Sequence, residues 1–142
     1  MELLIATLCD SASDYQGKLS LLGAFDTICA ARMPVVHPQC SLALRLCFRP
    51  EDEGKHSFRF HFIDDDGRPV MEDFSARPIT MNVRLPDDNY FLTRNLIINF
   101  QRLRFEHPGH YSIDVHAGDE ILSRIPLRVL QLSAAPQPSS PD

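Results

Sequence analysis

Ser41-Leu42-Ala43-Leu44-Arg45-Leu46-Cys47-Phe48-Arg49 alternates large apolar side chains with small or polar ones at a period of two. A β-strand sends successive side chains to opposite faces, so Leu42, Leu44, Leu46 and Phe48 share one face while Ser41, Ala43, Arg45, Cys47 and Arg49 share the other. The pattern predicts a half-buried strand. On its C-terminal side Pro50-Glu51-Asp52-Glu53-Gly54 turns the chain, and Phe58, Phe60 and Phe62 then point inward against Ser57, Arg59 and His61. Asp64-Asp65-Asp66-Gly67-Arg68 reads as a hairpin connection, with Asp carboxylates bonding nearby backbone.

The same pattern covers the rest of the chain, in short runs broken by Gly, Pro, Asp and Asn. Residues 2–9 form a first apolar strand, Asp10 to Gly17 a polar connection, and residues 18–30 a second long strand with an irregularity at Gly23. Pro34 and Pro38 bracket a loop. Further strands are expected near 69–75, 79–85 and 91–101, then at 110–116 and 121–131 around the tight turn Ala117-Gly118-Asp119. After Leu96, Ile98 and Phe100 the apolar parity switches to Leu103 and Phe105, which predicts a corner where the chain passes between sheets. Helical periodicity is almost missing. The expected architecture is an all-β, antiparallel sandwich of about nine strands over residues 1–132, followed by a disordered Pro- and Ser-rich tail at 133–142.

Composition sets outer limits on function. With 142 residues, 44% apolar and 23% charged, the chain can bury roughly two thirds of its unfolded surface without a metal or disulfide. Lys and Arg number 14 against 19 Asp and Glu, and the net charge of −5 repels a phosphate backbone. Nucleic acid is therefore not an expected partner, and Arg94, Arg102 and Arg104 read as a solvated strand edge. No apolar run has the length of a membrane span, and Glu2 and Asp10 flank the N-terminal apolar run in a way unlike a signal peptide. Cys9, Cys29, Cys40 and Cys47 have no CxxC spacing and read as buried thiols in a reducing compartment, which points to the cytoplasm.

The run Leu96-x-Ile98-x-Phe100-x-x-Leu103-x-Phe105-x-x-Pro108-Gly109-x-Tyr111-x-Ile113 resembles the E to F corner of immunoglobulin-like sandwiches. The resemblance implies that Tyr111 packs its ring while its hydroxyl bonds the backbone of the preceding corner. Ile113 stands where antibody domains carry Cys, and the chain has no Trp, so the likeness is to the broad architecture. A second resemblance is carried by Leu8-Cys9-Asp10, by Gly17-Lys18-Leu19-Ser20-Leu21-Leu22-Gly23-Ala24-Phe25-Asp26-Thr27-Ile28 and by His61-Phe62-Ile63-Asp64-x-Asp66-Gly67. These segments are similar to a family of small uncharacterised bacterial proteins, which implies a bacterial single-domain protein and no particular reaction or ligand.

No motif for chemistry rises above its plain structural reading. Phosphate-cradling glycine loops and strained nucleophile elbows are absent from the sequence. His107, His110 and His116 read as surface residues, the last two on the outward parity shared by Ser112 and Asp114, and no metal or cofactor is expected. The first functional expectation is a non-catalytic protein-interaction or assembly module, with a protein as partner. Its candidate residues are Asp10, Asp14 and Tyr15 in the polar connection, and Ala24 and Asp26 in the strand beyond Gly23, where small residues let another backbone approach. The alternative is a small-ligand or carbohydrate-binding sandwich using Tyr15, Tyr90 or Phe91, and a third reading is an enzyme built on a His61 and Asp64 pair.

Overall fold

Nine strands and one short 3-10 turn carry the chain in the computed structural model, which describes residues 1–71 and 77–133. The strands are β1 (Glu2–Tyr15), β2 (Lys18–Phe25), β3 (Thr27–Ala30), β4 (Val35–Phe48), β5 (Gly54–Asp64), β6 (Ile79–Val83), β7 (Leu92–Phe105), β8 (Gly109–Ala117) and β9 (Glu120–Gln131). They form two sheets, sheet A in the order β2-β1-β4-β7 and sheet B in the order β3-β9-β8-β5-β6. All pairings are antiparallel except β3 with β9, and sheet B curls into a half-barrel. No helix among the described residues is long and apolar enough to cross a membrane. The expected strand near 69–75 lies partly outside the described residues, which retain the Ile63–Pro69 bridge. All of the expected tail but Ser133 also lies outside them.

The inward faces meet where alternation placed them. Leu42, Leu44, Leu46 and Phe48 of β4 are fully buried, as are Phe58 of β5 and Ile113 and Val115 of β8. Phe62 of β5 meets Phe100 and Phe105 of β7 across the sheets, at ring-centroid distances of 5.8 and 5.9 Å. Tyr111 of β8 packs edge-on against Phe105 at 5.0 Å, and its hydroxyl donates to the His107 carbonyl at 2.6 Å. That is the expected corner bond. Burial raises the Tyr111 phenol pKa, partly opposed by this bond, so the proton remains available for donation. Tyr111→Phe should lower unfolding free energy by about 1 kcal/mol, measured by chemical denaturation, and a variant as stable as the parent would remove the corner bond from the account.

Five expectations are corrected. The polar connection Asp10 to Gly17 is not a loop: β1 runs to Tyr15 and turns into β2 through Gln16 and Gly17, both at positive φ, the two-residue turn whose twist suits a hairpin. Residues 18–30 are two strands rather than one, because the chain leaves sheet A after Phe25 and enters sheet B at Thr27. The parity switch after Phe100 is not a crossing between sheets. Arg102 has φ 55°, which flips the faces of β7, and β4 flips at the same level around Pro38, so the register from Phe48–Leu92 to Val35–Phe105 holds without a shift. That also makes the expected loop between Pro34 and Pro38 part of β4. Finally, the β4 face assigned to solvent is covered, with Ser41, Ala43 and Cys47 all buried.

Candidate functional site

What covers that face is the far end of the β1–β2 hairpin. β1 pairs with β4 only as far as Cys9–Ser41 and then continues with β2 alone. The hairpin folds back across sheet A so that its tip reaches Arg45 and Asn95, which lie opposite each other on β4 and β7. Arg45 Nη1 donates to the Gly17 carbonyl at 3.0 Å and to Asn95 Oδ1 at 2.7 Å, and Nη2 donates to Thr93 Oγ1 at 3.0 Å. Asn95 Nδ2 donates to Asp14 Oδ2 at 2.9 Å and to the Gly17 carbonyl at 3.1 Å. Asp14 also caps its own turn, accepting from the Gly17 N–H at 2.9 Å. Of the candidates in this segment, Asp14 is therefore a latch within the molecule, while Tyr15 is exposed beside it.

Among the described residues β2 is an edge strand of sheet A, bonded to β1 on one side only. Leu22 is 68% exposed, Leu21 is also exposed, and Ala24 lies between them and the sheet crossing. Gly23 has φ 68° and a Cβ there would collide with the Asp10 carboxylate, so Asp10 occupies the space that the missing side chain leaves. The close approach expected at Gly23 is thus made by Asp10 from within the molecule. Asp26 is exposed at the crossing itself, accepting a 2.7 Å bond from Thr27 Oγ1 while its carbonyl accepts from Arg128 N–H at 2.9 Å. Arg128 Nε in turn donates to Thr27 Oγ1 at 2.8 Å. A recess of about 330 Å³ is lined by Asp26, His110, Tyr111, Pro126, Leu127 and Arg128.

The outer face of sheet B holds a constellation that residue-by-residue reading missed. Asp114 faces outward as parity requires, yet it is only 7% exposed. His61 and Arg124 stand opposite it on β5 and β9, Ser112 Oγ donates to its Oδ1 at 2.9 Å, and Arg124 Nε lies 3.8 Å from its Oδ2. His61 and His116 touch edge to face, their ring centroids 4.7 Å apart. The signal was present as the outward series His110, Ser112, Asp114, His116. What a single strand hides is that its neighbours bring bulky side chains over the aspartate.

His61 and Asp64 do not make a pair. They sit three positions apart on β5 and so face opposite ways, and Asp64 Oδ1 accepts from the backbone N–H groups of Asp66 and Arg68 at 3.0 and 2.8 Å. The carboxylates of Asp64, Asp65 and Asp66 approach within 4.8 Å of one another around that turn. The cysteines divide. Cys9, Cys40 and Cys47 are buried and Cys29 is exposed on β3, a correction that follows from alternation, since its neighbour Ile28 takes the inward face. Burial pushes the Cys9 thiol up, with the Asp10 charge adding to it. Burial likewise pushes Cys40 up to about 11, with Cys9 and Asp10 contributing. Such thiols stay protonated near neutrality and are poor nucleophiles.

No curated protein and no solved structure matches the chain. Residues 4–130, from the third residue of β1 to the penultimate residue of β9, match the model of a family of unknown function, DUF6941, and the chain belongs to that family.

Proposed function

We propose that this chain is a non-catalytic protein-interaction module that offers β2 as an open strand edge to another polypeptide. The observation that carries the reading is the position of β2: among the described residues it ends sheet A with one side of its backbone unpaired, and it exposes Leu21, Leu22 and Ala24. An unpaired edge with apolar side chains and no inward charge is a template for strand addition, which natural edges usually blunt with Lys, Pro or a bulge. The long edge strand β7 is blunted in that way by Arg94, Arg102 and Arg104. The one charged residue of β2 is Lys18, at the hairpin tip, and Gly23 is its single position of positive φ.

An immunoglobulin-like plan for the sandwich belongs to the same reading. It is supported by the order β3-β9-β8-β5-β6, in which an early strand lies parallel to the last one, and by the Tyr111 corner. β1 then departs from that plan by inserting between β2 and β4. A bacterial, cytoplasmic setting completes the proposal. Four free cysteines, one of them exposed, suit a reducing compartment, and the bacterial part rests on the sequence resemblance.

The test is capture of partners from native cell lysate with tagged parent and with Ala24→Lys, a substitution that places a charge on the open edge. The parent should retain a reproducible protein that the variant loses while melting at the parent's temperature. Equal capture by both would refute the edge, and an unfolded variant would show β2 to be integral to the core. A small-molecule reading has the Asp26 recess in its favour, where a carboxylate and a guanidinium line the same space as Pro126 and Leu127. A co-purifying metabolite with no protein would move the assignment there.

A further inference from the structure

We propose that His61 and His116 bind a divalent transition-metal ion on the outer face of sheet B, at a place independent of the β2 edge. Register makes the pair. His61 of β5 stands opposite Asp114 of β8, and His116 follows Asp114 by two residues on the same strand, so the two histidines are diagonal neighbours on one face. Diagonal neighbours lie about 7–8 Å apart at the backbone, a gap that long side chains close. Here the ring centroids approach to 4.7 Å, with the planes 82° apart. The strands are also irregular at this level. Val115 pairs with Ser123 but His116 with Ile121, a bulge of the kind that re-aims neighbouring side chains.

Distance and availability both suit metal ligation. Imidazole nitrogens hold Zn²⁺ at about 2.0–2.1 Å, which puts the centroids of two rings sharing one ion about 4.5–5.2 Å apart at octahedral to tetrahedral angles. The observed 4.7 Å lies within that span. A ring centroid sits nearly on its own Cβ–Cγ axis, so turning either ring about that bond keeps the separation while swinging a nitrogen inward, and this torsion is soft. Both side chains are half-buried, and among the described residues neither histidine has a ring nitrogen bonded to protein, unlike His56. Local charge permits a cation. Arg124 Nε lies 3.8 Å from Asp114, Arg59 lines a recess with Asp119, and the chain at large carries −5. Asp114 is taken up by Ser112 and Arg124, so the protein supplies two nitrogens and water the remaining positions. Two imidazoles select borderline dications such as Ni²⁺, Cu²⁺ and Zn²⁺ over oxygen-seeking Ca²⁺.

The experiment is isothermal titration of the untagged full chain with Ni²⁺. One ion should bind per chain, and an about tenfold excess of Ca²⁺, which would settle at the Asp64 to Asp66 turn, should not displace it. His61→Gln and His116→Gln should each weaken binding by about tenfold or more, since either leaves a single imidazole, whereas His110→Gln and Cys29→Ser should change it by less than about twofold. The parent also gives a reading that needs no variant. Substoichiometric Ni²⁺ is paramagnetic and should broaden the ring-proton resonances of His61 and His116 before those of His107 and His110. Absence of binding, parental affinity in either of the two Gln variants at 61 and 116, an equal loss in Cys29→Ser, displacement by Ca²⁺, or broadening that begins at His107 or His110 would each overturn the site.

Discussion

Phe62→Ala should destabilise the domain by about 3–5 kcal/mol, the largest single effect expected from any substitution considered. Phe62 is 2% exposed and forms the hub through which β5 of sheet B meets Phe100 and Phe105 of sheet A. Alanine removes the ring from water-free surroundings and leaves a space that strands fixed on both sides cannot close. The loss is both the transfer of buried carbon and the empty volume left behind. Denaturant titration should show a lower midpoint with little change in slope. A cost under about 1 kcal/mol would mean that the sheets do not pack through this aromatic group.

Arg45→Ala should cost about 2 kcal/mol, and its effect should be local. The guanidinium ties the hairpin tip to sheet A through Gly17, Asn95 and Thr93, and Asn95 in turn holds Asp14. Removing it leaves the Gly17 carbonyl and the Asn95 amide with one partner fewer each, beneath a hairpin that has few other polar ties to the sheet. Hydrogen exchange should rise in residues 10–22 and at Ser41 and Ala43, which the hairpin covers, while β8 and the Phe62 cluster keep their protection. A loss of protection spread evenly over both sheets would contradict the latch.

The parts of this fold legible in the sequence are those where one face is apolar and the other is not. Leu42 to Phe48, Phe58 to Phe62 and Tyr111 to Val115 gave both strand and facing, because a one-residue slip would have exposed every large side chain. The hairpin tip was illegible for the opposite reason. Asp10, Ser11, Ser13 and Asp14 carry no apolar period, and what shapes them is polar contact with Asn95 and Arg45 some 80 and 30 residues away. Cover by that same hairpin buries Ser41 and Ala43, so the hydroxyl of one and the small size of the other misled. Arg102 could not announce its positive φ, nor could Pro38 announce that the opposite strand flips with it. Among the candidate residues, Ala24 lies on β2 and Asp26 marks the crossing between the sheets. Asp14 and Asp10 serve contacts within the hairpin. The Asp114 group went unseen because a cross-strand cluster is a property of register, which alternation within one strand does not contain.

The edge and the latch are linked. The hairpin that folds over sheet A is anchored at its tip and at β1, and among the described residues β2 is paired on its β1 side only, the arrangement on which the proposed strand addition rests. Pre-ordering lowers the entropy that strand addition would otherwise cost. The decisive measurement is amide hydrogen exchange along Lys18 to Phe25, residue by residue, in the isolated chain and with its captured partner bound. An open edge predicts alternation in the isolated chain, with amides bonded to β1 protected and the outward ones exchanging fast, and partner binding should slow the outward set. Outward amides that are protected without a partner, or that exchange just as fast with one bound, would contradict it.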